Sequence, residues 1–93
     1  MEFDWDDGNT HKIRKRFEIE VIEIFFKQEL FVIQDHSHSI HEVRYIAVGY
    51  GPKNKPMFVC YTHRANKIRV ISARFMRRKE AERYEKFKEE KSK

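Results

Sequence analysis

The chain has 93 residues, a formal net charge of +5 and a single cysteine. A chain of this length buries roughly 60–65% of its unfolded surface, which supports one modest core and leaves little room for a deep cofactor cavity. Because it has no apolar run near the roughly 20 residues that cross a bilayer, no signal peptide and no partner for an internal disulfide, we expect one cytoplasmic domain over residues 1–93.

The first third of the chain predicts a short strand, two helices and a second strand. Residues 2–5 alternate polar and apolar side chains, and the run Asp6-Asp7-Gly8-Asn9 has the residue types that cap a helix. The alternation in residues 17–21 is typical of a strand, whereas the apolar residues from 21 to 26 follow helical spacing. We interpret residues 20–28 as a short helix and residues 30–34 as a strand.

The remaining two thirds predict an antiparallel meander followed by a charged helix. Short turns rich in Gly, Pro and Asn separate three strands, which are residues 43–50, 56–62 and 68–74. Cys60 lies in the apolar pattern of the second strand and is predicted to be a buried structural thiol. Residues 77–91 form the last helix, and residues 88–93 are expected to fray. These elements predict an α+β domain with its helices against one sheet face and its basic residues on the other face or its edge.

Basic residues dominate the meander and the start of the last helix. No acidic residue lies between Glu42 and Glu80, whereas ten Lys or Arg do: Arg44, Lys53, Lys55, Arg64, Lys67, Arg69, Arg74, Arg77, Arg78 and Lys79. A field of one sign on a small scaffold attracts polyanions, of which nucleic acid is the commonest. The alternative is a solvated surface that only keeps the chain soluble.

Three of these arginines, Arg64, Arg69 and Arg74, are spaced by five residues. A guanidinium suits phosphate because its planar fork donates two hydrogen bonds and stays charged. Since five is odd, Arg69 and Arg74 point to opposite faces of one strand unless a bulge or the strand end re-aims Arg74. The alternative role is an internal ion pair with Glu42 or Glu80, which fits Arg69 better than the other two.

Three histidines, His36, His38 and His41, lie in a polar loop. Imidazoles commonly bind zinc, but no cysteine lies near them in the chain and the loop offers no rigid cage, so we expect no metal site. An imidazole beside phosphate-binding arginines suits general acid–base chemistry, while His36 and His41 could equally be loop residues without a role. Glycine loops that cradle phosphate and paired-cysteine motifs are absent, so no cofactor is predicted.

Several short runs, spread over nearly the whole chain, form a recognisable set. They are Phe3-x-Trp5-Asp6; Gly8-Asn9 with Lys12 and Lys15; Val21, Glu23 and Phe25-Phe26; His38-Ser39-x-x-Glu42-x-Arg44-Tyr45-Ile46-Ala47-x-Gly49; Thr62-x-Arg64; Ile68-Arg69-x-Ile71-Ser72-Ala73-Arg74; and Glu80 with Tyr84. With these runs the chain resembles the BrnT family of bacterial type II toxins. The runs that begin at His38 and at Ile68 are the more specific ones.

The resemblance implies a fold similar to the RelE-like ribonuclease toxins and cleavage of RNA without a metal, which inhibits translation and growth. It also implies a BrnA-like antitoxin that neutralises the toxin, a complex of two toxins with two antitoxins, and operator DNA bound only through the antitoxin. Arg64 and Arg74 would stabilise charge on phosphorus, and His38 or Glu42 would be the base. The implied RNA-binding residues are Lys12, Lys15, Arg44, Arg69 and Arg77.

One element departs from the family pattern. Members usually carry a Lys-His-Gly/Asn-Val run after the first helix, whereas this chain has Lys15-Arg16-Phe17-Glu18-Ile19, so the histidine is absent. The alternative function is therefore a catalytically degenerate toxin that binds its antitoxin or nucleic acid without turnover.

Overall fold

The computed structural model describes residues 1–92 as three helices and a four-stranded sheet. The elements are α1 (Asp7–Arg14), α2 (Ile19–Phe25), β1 (Phe31–Gln34), β2 (Arg44–Tyr50), β3 (Pro56–Arg64), β4 (Lys67–Phe75) and α3 (Arg78–Lys91). This confirms the α+β class. The helix predicted over residues 20–28 is observed over Ile19–Phe25, so the prediction was wrong for residues 26–28. The fraying of residues 88–93 stays a prediction, since α3 extends to Lys91 and Lys93 lies outside the described residues.

The sheet is an antiparallel meander in the order β1-β2-β3-β4. The loop after β1 contains a short 3₁₀ helix at His36–His38, and β3 turns into β4 through Ala65 and Asn66. Both turn residues have positive φ, 53° and 64°, which the tightest hairpin turns require because their twist matches that of the strands. Consecutive pairing leaves β1 and β4 as the two edges.

The N-terminal segment covers the β4 edge. The predicted strand at residues 2–5 is observed only as a single parallel bridge between Phe3 and Ile68, with Asp4 N–H donating to the Ile68 carbonyl and Ile68 N–H to that of Glu2. The predicted cap is present, because the Asp6 carboxylate accepts from Gly8 N–H at 2.8 Å. Buried Asn9 donates to the Val70 carbonyl at 3.1 Å, which fixes α1 beside β4.

One face of the sheet, here called the closed face, forms the core with α2. Alternate β3 residues Met57, Val59 and Tyr61 meet the α2 side chains Ile22 and Phe25, and all of them are buried. Aromatic contacts extend this core, since the ring centroids of Phe26 and Tyr61 are 5.2 Å apart. The apolar residues at helical spacing in α2 are thus the ones that seal this face.

In the described part of the chain, α3 covers one end of the opposite face, here called the open face. The rings of Tyr84 and Tyr50 lie 5.6 Å apart and those of Phe87 and Phe31 4.8 Å apart. No residue of α3 is fully buried. The prediction that all helices lie against one face is therefore wrong, because the sparse apolar set of α3 packs on the face that α2 leaves free.

A β-bulge changes the orientation of the β4 arginines. Arg74 pairs with Phe58 and Arg69 with Thr62, whereas Ile71 has no counterpart on β3. Phe58 and Thr62 are four residues apart and share a face, so both arginines start from the open face. The sequence predicted opposite faces for Arg69 and Arg74 unless a bulge intervened. The bulge is present, and the two arginines start from the same face.

Candidate active site

A basic groove runs across the open face of the sheet and has a volume of about 820 Å³. Apolar and small side chains form its floor, namely Ile33, Ile46, Phe58, Cys60 and Ser72. Five cations line it: Lys12, Lys15, Arg16, Arg44 and Arg74. Asp35, His38 and Glu80 complete the polar lining. The volume falls in the range of small-molecule and cofactor sites.

Strand periodicity and the position of α1 bring these cations together. Arg44 lies on β2 and Arg74 on β4, at positions whose β3 partners, Thr62 and Phe58, share the open face. Lys12 and Lys15 are three residues apart at the end of α1 and therefore project from one side of the helix. Because α1 lies beside β4, its basic end forms one wall of the groove.

Arg74 is held in place by Glu80, by the Phe58 ring and by the Phe75 carbonyl, which accepts from its Nη1 at 3.2 Å. Its Nη1 and Nη2 donate to the two Glu80 carboxylate oxygens at 2.9 Å each, and its guanidinium lies 4.9 Å from the centroid of the Phe58 ring. The hydrogen bonds from Arg74, together with the Arg77 backbone N–H, lower the pKa of Glu80 to about 2. Within the described residues, Arg74 Nε and one Nη2 hydrogen make no hydrogen bond. The edge of the guanidinium formed by Nε and Nη2 is therefore free to bind an anion.

His38 stands at the β1 side of the groove and is oriented by Asp35. Its Nδ1 lies 2.9 Å from an Asp35 carboxylate oxygen, while the imidazole remains 65% exposed. The Ser37 hydroxyl donates to the same carboxylate, and this bond, followed by the bond to His38, lowers the pKa of Asp35. A carboxylate on Nδ1 favours the tautomer with a free Nε2, which is the arrangement of a general base.

Arg44 contributes a buried nitrogen without a partner. Its Nε is buried and has no hydrogen-bond acceptor in the described part of the chain, and its Nη2 lies 3.5 Å from Glu42. Buried polar atoms are nearly always paired, so Arg44 Nε is an exception within the described residues.

Cys60 lies on the floor of the groove and not in the core. It is half-buried and pairs with Ser72 across β3 and β4, and burial raises the pKa of its thiol. The prediction that Cys60 is a buried structural thiol was wrong. The apolar alternation around Cys60 is misleading because the open face also carries apolar residues such as Ile46.

The groove collects some of the predicted site residues and leaves others outside it. Arg74, His38, Lys12, Lys15 and Arg44 line it. Arg64 and Glu42 lie beyond it and face each other at 3.7 Å.

Arg69 and Arg77 also lie outside the groove. Arg69 is 12% exposed and bonds Asp6 at 2.9 Å and Asp4 at 3.4 Å, an internal ion pair with partners other than the predicted Glu42 or Glu80. Arg77 is exposed at the start of α3.

Sequence reasoning missed three groove residues. Asp35 is one of them, although it lies three residues before His38 in the sequence. Arg16 follows Lys15 at the end of α1. In the sequence it was noted only because it stands where family members carry a histidine. Ser72 carried no signal by itself, since its place depends on the bulge.

The described residues contain no group of three or more His, Cys, Asp or Glu side chains that could hold a metal ion. Across residues 1–92 no helix combines the length and apolarity needed to cross a bilayer.

Comparison with known proteins identifies the family to which the chain belongs. A family model described as "Ribonuclease toxin, BrnT, of type II toxin-antitoxin system" matches residues 5–80. The chain belongs to the BrnT family. The match confirms the resemblance seen in the sequence, and it covers every residue that lines the groove. No curated protein and no solved structure matches the chain.

Membership of this family makes the chain a ribonuclease toxin of a type II toxin–antitoxin system, with an antitoxin as partner. The match ends at Glu80, the residue that binds Arg74, so most of α3 lies beyond the part shared with the family.

Proposed function

We propose that this BrnT toxin is a metal-independent endoribonuclease that binds single-stranded RNA in the basic groove. By cleaving RNA in the cytoplasm it inhibits translation and growth. The observation that carries the proposal is the convergence of five cations and a carboxylate-oriented imidazole in one groove. We further propose that the α+β arrangement is a version of the RelE-like fold.

Cleavage uses the substrate 2′-hydroxyl as nucleophile. His38 Nε2 accepts the 2′ proton while the oxygen attacks phosphorus, and the bond from phosphorus to the 5′ oxygen breaks. The products are a 2′,3′-cyclic phosphate and a 5′ hydroxyl, whose proton comes from water, and His38 then returns its proton to solvent. Asp35 orients the imidazole and stabilises its protonated form.

Fixed cations supply the charge that a metal would supply in other nucleases. The free Nε and Nη2 edge of Arg74 binds a non-bridging phosphate oxygen, and Glu80 holds the guanidinium so that no reorganisation is needed during reaction. Arg44 lines the same groove and adds a further positive charge there. Lys12 and Lys15 position the neighbouring backbone phosphates.

The other predicted residues remain in the proposal with roles outside the groove. Arg64 and Glu42 lie close to Arg44 and would contact RNA that extends past the groove, and Glu42 is the alternative base. Arg77 would contact RNA at the α3 end. Arg69 keeps an RNA-binding role only if RNA displaces its aspartate partners.

A BrnA-like antitoxin neutralises the toxin in a complex of two toxins with two antitoxins, and it alone contacts operator DNA. We propose that carboxylates of the antitoxin face Lys12, Lys15 and Arg74 and so compete with RNA. A competition titration with the cognate antitoxin and a non-cleavable RNA tests this. Simultaneous binding of both at full affinity would exclude a shared site.

The decisive experiment measures cleavage of single-stranded RNA by the purified toxin and growth after its induction. We expect cleavage to persist in excess EDTA, and we expect Arg74→Ala to lower the rate of cleavage by about 10²–10³ and to relieve growth arrest while the fold stays intact. The matched control is Arg78→Ala, an arginine that is exposed on α3. Activity lost to EDTA and restored by zinc would overturn the metal-free mechanism.

The absent family histidine favours a second candidate, a degenerate toxin that binds its antitoxin without turnover. The same experiment separates the two functions. Antitoxin binding without cleavage or growth arrest would establish the second one.

A further inference from the structure

Within residues 1–92, no segment covers the β1 edge of the sheet. Asp35 N–H donates to the Arg44 carbonyl, so within β1 the odd-numbered residues bond β2 and the even-numbered ones turn away. The Tyr50 amide fits this alternation, because it turns toward the β1 side and donates to the Gln28 side chain. The backbone groups of Leu30, Val32 and Gln34 therefore point outward, and all four residues of β1 are exposed.

Nothing in β1 blocks the approach of another strand. Natural edges are protected by Lys, Pro, a bulge or a covering segment. The other edge, β4, is covered by the N-terminal segment through Phe3 and Asp4. β1 is short, with four residues, but its sequence, Phe-Val-Ile-Gln, has no Lys or Pro and its pairing with β2 is regular.

Apolar side chains surround this edge on both faces. Phe31 and Ile33, 42% and 44% exposed, lie on the open face, and Val32, 42% exposed, lies on the closed face. Exposed Ile40 and Val43 belong to the loop that joins β1 to β2. Such a concentration of apolar surface on a small protein marks an interaction site.

We propose that the antitoxin adds an extended apolar segment to β1 as a fifth strand of the sheet. This inference rests on the partner that the family and the proposed function assign. Backbone hydrogen bonds to Val32 and Gln34 give the affinity, and alternating apolar side chains fill the strip on both faces. Glu29 and Asp35 flank the edge, so the segment carries Lys or Arg near its ends. The added strand extends the open face beside Asp35 and His38 and narrows the groove at that side.

A second copy of the toxin fits this edge less well. If two copies of β1 pair antiparallel, the outward backbone N–H and C=O groups of one copy must face those of the other. This requires even-numbered residues opposite even-numbered residues. The symmetric register that pairs Leu30 with Gln34 then places Glu29 opposite Asp35 twice, and like charges directly opposite are destabilising. If the register of the two copies shifts so that Val32 pairs with Gln34, apolar Phe31 lies opposite the Asp35 carboxylate. An antitoxin segment has neither the like-charge pair nor this mismatch.

Amide hydrogen exchange on the unmodified toxin, alone and with its full-length cognate antitoxin, tests the proposal. Protection should rise at Val32 and Gln34, while Phe31, Ile33 and Asp35 change little because they already bond β2. Unchanged exchange at Val32 and Gln34 would overturn the proposal. Protection of these amides that rises with the concentration of toxin alone would assign the edge to a second copy and also overturn it.

A matched pair of variants adds a binding test. Val32→Pro removes the outward N–H without breaking a bond to β2, and edge positions tolerate proline. Val32→Ala removes side-chain atoms and keeps the N–H. Antitoxin affinity should fall about tenfold or more for the proline variant and less for the alanine variant.

Equal affinities for the two variants would contradict strand addition. RNA cleavage by the Val32→Pro toxin reports on its fold and on the proposed function. If no variant and no wild-type protein cleaves RNA, the nuclease proposal fails, while the exchange pattern still decides the strand addition.

Discussion

The two faces of the sheet come from the same four strands, yet one is sealed and the other carries the charges. On the closed face, alternate residues such as Val59 and Val70 are fully buried under α2. On the open face, the residues between them, such as Cys60 and Ser72, line a groove with five cations. The alternation of a strand thus lets one short sequence supply stability on one side and chemistry on the other.

The helices explain why the two faces differ. The apolar face of α2 contributes buried Ile19, Ile22 and Phe25 to the core. The longer α3 has no buried residue and contacts the sheet through Tyr84, Phe87 and the ion pair of Glu80. Its weak cover leaves the groove open.

The largest effect should come from the closed face. Phe25→Ala removes a ring that is 2% exposed, and we expect the free energy of unfolding to fall by about 3–5 kcal/mol because of lost burial and a cavity. Cys60→Ala on the open face should change it by less than about 1 kcal/mol. Urea unfolding of both variants measures this, and equal losses would remove the distinction between the faces.

The second effect compares two arginines of β4. Arg74→Ala should lower kcat for RNA cleavage by about 10²–10³, the range seen when one donor to a developing charge is removed. Arg69→Gln should leave kcat near the wild-type value and weaken the attachment of the N-terminal segment, because Arg69 bonds Asp4 and Asp6. Single-turnover cleavage of RNA by each variant measures this difference in rate. A similar loss of kcat for Arg69→Gln would give that residue a part in the cleavage step.

The meander, α1 and its cap, and the helix from residue 19 follow from local patterns, so they were predictable from sequence. The groove was only partly predictable. Arg74 and His38 could be named from residue type, but the bulge at Ile71 arises from tertiary pairing and decides which face Arg69 and Arg74 share. The side on which α3 packs was missed because two aromatic residues carry no information about which face they will cover.

The third effect is a salt dependence that belongs to the open face. If the five groove cations contact phosphates, RNA affinity should fall about 10²-fold between roughly 50 and 200 mM salt. Lys15→Gln should reduce the slope of log affinity against log salt by about 0.7, the value for one contact with single-stranded nucleic acid. Arg78→Gln on α3 serves as the control and should leave the slope unchanged. An affinity independent of salt would remove the electrostatic role of the groove.

The smallest effect concerns the ion pair that attaches the start of α3. The pKa of Glu80 is about 2, against its ordinary value of 4.5, so the folded state favours the carboxylate. The stabilisation is therefore complete above pH 4.5 and is lost as the pH falls toward 2. Because both side chains are partly exposed, we expect it to contribute only about 0.5–1 kcal/mol.

Glu80→Gln should lower the stability at neutral pH by this amount and converge with wild type near pH 2. The difference between the two unfolding curves isolates Glu80 from Asp6 and Asp35, whose pKa values are also lowered through bonds to Arg69 and to Ser37. The same variant frees Arg74 from its anchor, so kcat should fall while RNA affinity holds. A variant with unchanged kcat would show that Glu80 attaches α3 without positioning Arg74 for the reaction.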